Sequence, residues 1–539
     1  MSKARLQAGI LLTGLFILLV IAAAQPAHAI PAFARKYGTS CATCHSDFPK
    51  LNDFGKAFKD AGFKFPKDDE DFIKVPPTLL GAPAQKEMFP HTIWPGRIDG
   101  MPPIGLRFNT YFQVTGKNRG NFQYVPNGNT PPYVPNFIPR TDFQSGLFSI
   151  FTAGDLGDNI AFWVDDDLSV AGSNAAGGLG DGYLKFVDIG HLLHLPKDAL
   201  SLRVGQFELD LPFSQARSYN ISGWDIYSQF NLGAMDTFLP SQQQNVANGF
   251  SMDAAGQGIE ISGGHTYGGY HYSLAVINQT TGTQPIETAG YVSSPTGFVS
   301  DANFKDIYGR FAYRFNLDRD KASRHEIQAA GPTGPRDHTS LTLGTYYFYG
   351  RSVQRLIGTN LSGTTPVLLT AREPFYRVGG DFNFIYHNFN LYGLYMFGHD
   401  NNLIPAAGGV PVFPAVIVPT GFYHGPAATF SGGFLQADYM PYPWLMLIMR
   451  YDGVNSTSDR INGLGFNTDA PYIIPYASTR NRFTPGVQFL IHANIKASFE
   501  YQIRPQQAVI NGIDPITGAT VNIPHFRTNT PVVALEWVY

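Results

Sequence analysis

The sequence predicts a mainly β fold: a transmembrane antiparallel β-barrel of about 16 strands, preceded by a small α-helical domain. Three observations predict it. Charged residues make up only 15% of the 539 residues, whereas aromatics make up 14% and Gly occurs 57 times; after the N-terminal apolar run, no segment is long and apolar enough to cross a bilayer as a helix. Segments of about ten residues alternate apolar and polar side chains with period two, the pattern of strands with a lipid face and a lumen face. The links between them alternate short and long, which suits periplasmic turns and outer loops but has no basis in a soluble β-sandwich.

Residues 1–29 open with Lys3 and Arg5, continue through an apolar run from Ile10 to Ala24, and close on Ala27-His28-Ala29. A charged start, an apolar core and a small-residue cleavage site describe a secretory signal peptide. Removing Lys3 and Arg5 takes two positive charges from a formal net charge of −3, leaving −5. So mild a charge predicts no nucleic-acid partner.

Residues 30–75 contain Cys41-Ala42-Thr43-Cys44-His45, the C-x-x-C-H attachment site of a c-type haem. These are the chain's only cysteines. A structural zinc site would need a second pair, and a redox C-x-x-C normally sits in a thioredoxin-like context without the following His. One covalent haem c is expected, with Cys41 and Cys44 as thioether anchors and His45 on the iron. A helix is expected next, with Pro49 in its first turn. Leu51, Phe54, Gly55, Phe58, Ala61 and Gly62 recur along one face, and Gly62 ends it. Leu51, Phe54 and Phe58 are expected to pack on the porphyrin. Lys50, Asp53, Lys56, Lys59 and Asp60 form the opposite, solvated face. Apolar residues here are too few for a core without the haem. Residues 76–103 form a Pro- and Gly-rich connector. Met88, His91 and Met101 within it are the candidates for the sixth iron ligand, a Met raising the potential relative to a His.

Residues 104–539 carry 16 strand candidates, starting near residues 104, 143, 158, 180, 199, 257, 269, 304, 340, 375, 389, 430, 444, 483, 494 and 528. In the segment ending at Asn316, Ile307, Gly309, Phe311, Tyr313 and Phe315 share a face opposite Tyr308, Arg310, Ala312 and Arg314. The link 317–339 is long where a short one is expected, unless a strand is misplaced. At the C-terminus Val533, Leu535, Trp537 and Tyr539 share one strand face and suit an aromatic girdle. His191 and His194 lie at a turn and are read as structural. Asp165-Asp166-Asp167 is read as a solvated acidic run, with a cation site as the alternative.

Together, Pro31-Ala-Phe-Ala-Arg35, the C-x-x-C-H motif, Pro49-x-Leu51, Phe54-Gly55 and Phe58-Lys59-x-x-Gly62, followed by a porin-like remainder, resemble the fused monohaem cytochrome–porins of the bacterial outer membrane. The motif match covers roughly residues 30–65. Phe63 stands where members often have Tyr. The resemblance implies a haem c domain that plugs or lines the barrel, surrounded by outer-membrane lipid. It implies extracellular Fe(II) as donor and a periplasmic c-type cytochrome as acceptor, the chain acting as an Fe(II):cytochrome c oxidoreductase or a non-enzymatic electron carrier. The architecture alone also accommodates an outward electron conduit or a transport porin with a haem-bearing plug.

Overall fold

The computed structural model describes residues 32–47, 50–67, 69–74, 78–79, 87–88, 97–98, 104–114, 121–124, 133–136, 141–144, 147–156, 159–169, 178–214, 217–228, 230–231, 249–250, 252, 255–278, 305–317, 339–359, 366–407, 419–456, 481–492, 494–503, 510–513, 520–523 and 529–538. The signal segment 1–29, Pro49, His91, Met101 and Tyr539 lie outside the described residues.

Sixteen antiparallel strands close into a barrel. In chain order they are β1 (Ile104–Val114), β2 (Leu147–Asp155, with Thr141–Gln144 before it), β3 (Ile160–Ser169), β4 (Gly178–Phe186), β5 (Ser201–Phe207), β6 (Gly256–Gly264), β7 (Gly269–Ile277) and β8 (Asp306–Asn316). The second half comprises β9 (Ser340–Thr359), β10 (Pro366–Tyr386), β11 (Phe389–Ala407), β12 (Pro419–Tyr442), β13 (Leu445–Ser456), β14 (Asn481–His492), β15 (Ile495–Gln502) and β16 (Thr530–Val538). Each pairs with its chain neighbour, and β16 pairs with β1 from Val532↔Gln113 to Val538↔Arg107, which removes any free edge. The strands begin close to the expected positions, except that β10 and β12 start earlier because their pairing continues toward the long links.

Period-two alternation sets the two faces. In β8, Ile307, Phe311, Tyr313 and Phe315 are exposed outward, whereas Tyr308, Arg310, Ala312 and Arg314 are buried inward. In β16, Val533 and Leu535 are exposed while Val532, Ala534 and Glu536 are buried. Near the short-turn end, exposed Tyr442 and Trp444 stack at 5.4 Å, with Phe489 alongside Trp444. Such a ring of aromatics marks a membrane–water boundary.

The long link 317–339 is genuine. Asn316 pairs with Ser340, and the Leu317 N–H donates to the Thr339 carbonyl at 2.8 Å, so β8 and β9 are adjacent and no strand is misplaced.

Two parts of the chain enter the lumen. At the short-turn end lies the segment 32–74: α1 (Ala32–Tyr37), α2 (Asp53–Asp60) and α3 (Asp69–Phe72). The expected helix is shorter than its periodicity suggested. Leu51 sits in a two-residue strand paired with His45, and α2 starts after Asn52, whose side chain accepts the Gly55 N–H. Gly62, at φ +81°, ends the helix as expected. Its N–H donates to Lys59 O and that of Phe63 to Phe58 O, the two bonds of a Schellman cap.

Two carboxylates of the polar face of α2, Asp53 and Asp60, meet the barrel wall, whereas Lys59 stays exposed. Both Asp53 oxygens accept from Arg314, at 2.6 and 2.9 Å, and both side chains are buried. Asp60 accepts from the Thr266 N–H and hydroxyl at 2.9 Å each. Lys36 of α1 pairs with Asp155 at 2.9 Å. Farther up the lumen, residues 208–214 and 217–228, including α4 (Asp225–Ser228), contact both β5 and the far wall of the barrel.

Replacing Asp53 with Leu would strand Arg314 in a buried site, at an expected cost of about 3–5 kcal/mol to docking of segment 32–74. Amide hydrogen exchange in that segment should accelerate accordingly. Asp53→Leu combined with Arg314→Met should restore most of the protection.

Candidate functional site

The C-x-x-C-H turn is built by local hydrogen bonds. Cys41–Thr43 form one 3-10 turn, in which the Cys44 N–H donates to Cys41 O at 3.1 Å. Asn52 then clamps this turn to α2. Its side-chain amide donates to Ala42 O at 3.2 Å and Thr43 O at 3.0 Å, its side-chain oxygen accepts from Gly55 N at 2.8 Å, and its own N–H donates to Cys44 O at 2.9 Å. Asn52 just before an apolar periodic run is an N-cap signal that the pattern of apolar residues does not by itself single out. Gly55 is needed where it stands: a Cβ there would lie 2.1 Å from the Cys44 carbonyl oxygen.

Phe54 and Phe58 are buried, in an aromatic cluster with Tyr37, Phe63 and Phe65. Tyr37 and Phe65 stack at 4.3 Å, and Phe33 meets Phe58 edge-on at 5.0 Å. These rings pack together with Ala153, Ala161 and Trp163 of the wall, so the apolar side chains of the segment are buried partly against the barrel. Cys44 packs on the edge of the cluster. Cys41, His45 and Leu51 are half-buried and Ala42 is exposed, which leaves one side of the turn open. Met88 is 70% exposed.

The thiol chemistry narrows what this turn can hold. The cysteines are not bridged. Burial pushes the Cys44 thiol up to about 12, with the neighbouring Cys41 adding to the rise, and burial also raises Cys41. Among the described residues no three His, Cys, Asp or Glu side chains converge as a metal cluster. Two cysteines and the following imidazole in one turn with an open side are the donor set that a c-type haem would use. Cys41, Cys44 and His45 therefore fit haem c.

Around α2 the lumen is polar. Lys59 is exposed toward enclosed space beside Arg217 and Arg203. Between α2 and the wall lies a cavity of about 260 Å³, with Asp60, Lys64, Lys185, Lys197, His265 and His271 in its lining. His191 and His194 occupy the exposed turn between β4 and β5, with His191 Nδ1 2.6 Å from Asp188 O. Asp165 is not a solvated group: it accepts the Trp163 indole N–H at 2.8 Å and the Asp181 N–H at 2.7 Å. The Asp167 side chain lies outside the described residues.

No protein-family model matches the chain, and no curated relative matches it. Among solved structures, OmpT of Vibrio cholerae, folded in vitro, aligns over 81% of this chain and 96% of its own at 10% identity and a TM-score of 0.39. An anion-selective porin from Comamonas acidovorans aligns over 81% and 98% at 11% identity and 0.40. Salmonella typhi OmpF in complex with daunomycin aligns over 81% and 97% at 9% identity and 0.42.

Gly55→Ala should push α2 off the attachment turn at a cost of about 1–3 kcal/mol. The fraction of purified protein that carries covalent haem, read from a haem-stained denaturing gel, should fall well below wild type. Lys59 gives a pH prediction. Enclosure by the wall, and then the Arg217 and Arg203 cations, lower its pKa from 10.5 to about 8. The ammonium form is thus disfavoured in the folded state: the penalty is full below the folded value and fades as pH rises toward the unfolded one. Lys59→Met should slow hydrogen exchange in α2 at neutral pH and have no effect in strong alkali.

Proposed function

We propose that this chain is a fused monohaem cytochrome–porin of the bacterial outer membrane that moves single electrons between the cell exterior and the periplasm. The observation that carries the reading is the placement of the C-x-x-C-H turn: it rides on a segment locked inside the short-turn mouth of a closed barrel by the buried Asp53–Arg314 pair. Short turns lie on the periplasmic side in outer-membrane barrels, so the turn sits where a periplasmic c-type cytochrome can approach. The apolar outer face and the aromatic ring near the turns suit outer-membrane lipid. A lumen entered by two parts of the chain disfavours the transport-porin reading.

In this role Cys41 and Cys44 tether the haem and His45 binds its iron. The sixth ligand comes from the connector, where Met88, His91 and Met101 are the candidates. When bound, the haem supplies a one-electron Fe(III)/Fe(II) couple. Asn52 and Gly55 hold the attachment turn against α2, and the aromatic cluster keeps water from its inner side. Extracellular Fe(II) is the electron donor and the periplasmic cytochrome the acceptor.

The test is spectral. Purified oxidised protein mixed with Fe(II) should develop the sharp α-band of a reduced c-type cytochrome. Cys44→Ala and His45→Ala should each abolish it while the barrel still shows its heat-dependent gel shift. A wild-type protein with no haem-stained band would end the proposal.

A further inference from the structure

We propose that residues 209–214 and 217–228 form a partition that closes the barrel to solutes, and that electrons cross it through the packed lumen cluster that meets the C-x-x-C-H segment at Trp163. The electron route rests on the function proposed above; the partition does not.

The segment spans the full width of the lumen. It leaves the wall at β5, where Arg217 binds Glu208 at 2.8 Å and Asp181 at 2.5 Å. It is pinned again on β12–β15. Asn220 and Gln436 exchange amide hydrogen bonds at 2.9 and 3.0 Å, the Ile221 N–H donates to Glu500 at 2.7 Å, and Arg450 donates to Ser222 O at 2.8 Å. Arg482 pairs with Asp225 at 3.0 Å. From β5 to Arg450 on β13 is half a turn of a 16-strand ring.

Apolar side chains of the segment flank these polar pins. Leu209, Leu211, Trp224, Ile226 and Tyr227 are buried against inward-facing wall residues, among them Phe207, Tyr308, Phe348, Phe375 and Phe430. A water-filled pore would leave its wall accessible, and an ion entering an apolar region loses its hydration without compensation. Here Tyr346, Arg377, Met396, Phe434, Thr484 and Ser498, all facing inward, are buried.

The buried lumen cluster is contiguous, and rings within it pair locally. Phe348 lies 5.3 Å from Phe375 and 6.2 Å from Tyr308, and Trp224 lies 5.9 Å from Tyr227. Trp163 packs against both this lumen cluster and the aromatic core of segment 32–74. It stands beside Tyr183 across the β3–β4 ladder and 5.4 Å from Phe63. The balance is one electron: Fe(II) outside becomes Fe(III), ferric haem becomes ferrous, no proton moves, and the packed cluster couples the two without being oxidised.

Two measurements on the full-length haem-loaded protein in liposomes test this. A charged, membrane-impermeant thiosulfonate added from the loop side to Lys59→Cys protein should react slowly. Adding Trp224→Ala and Tyr227→Ala should accelerate the reaction on the order of 100-fold, read as a rate ratio. Equally fast labelling with Trp224 and Tyr227 intact would overturn the partition, whatever the fate of the haem. For the route, Trp163→Leu should slow haem reduction by loop-side Fe(II) on the order of tenfold, with Trp163→Phe recovering much of the rate. The haem potential and reduction from the turn side should stay at wild-type values. An unchanged loop-side rate in Trp163→Leu would overturn the route, and absence of haem from the wild type would instead remove the function on which the route rests.

Discussion

No water reaches the hydrocarbon interior of a bilayer, so every strand N–H and C=O that crosses it must find its partner on another strand. The β16–β1 pairing that closes the ring satisfies this requirement, and the remaining features follow from it. Closure divides each strand strictly into an outward and an inward face. The outward face can be apolar along its length, which is why so few charges are needed over so long a chain. Along the described strands, charged side chains such as Arg310, Arg377 and Arg450 are buried on the inward face.

Those inward charges face a lumen that protein enters, and there they occur in pairs. Arg310 grips Asp381 through two bonds, Arg377 holds Asp400 at 2.8 Å, and Arg450 holds Asp452 at 2.9 Å. An unpaired charge in such a place would be costly, and a paired one fixes geometry. The Asp53–Arg314 contact uses the same device to join two parts of the chain remote in sequence. It orients α2, and through Asn52 and Gly55 it orients the turn that carries Cys41, Cys44 and His45.

The lumen departs from the pattern of an aqueous pore in one sector. Inward positions on β8–β12 include Tyr308, Phe348, Phe375, Met396 and Phe434, which would be misplaced in a water-filled channel. They are matched by Trp224, Ile226 and Tyr227 of the crossing segment. The inner wall and the segment that covers it thus make an interior core within the barrel, separate from the aromatic core of segment 32–74 and joined to it at Trp163.

The sequence by itself determined what local rules can carry. Side-chain alternation fixed the strands and their faces, as in Ile307–Phe315. Link lengths distinguished the two ends, and the spacing of Cys41, Cys44 and His45 defined the candidate attachment turn. Gly62 announced the end of α2 because a left-handed cap favours that residue. Only the tertiary structure decided where the polar face of α2 points, since Asp53 and Asp60 look the same in sequence whether water or Arg314 and Thr266 receive them. It alone revealed that residues 217–228, after β5, meet the inner wall, because apolar side chains in a loop acquire meaning only when the wall opposite is apolar too. Periodicity is a property of neighbours in sequence, whereas burial depends on which distant surfaces the closed ring brings face to face.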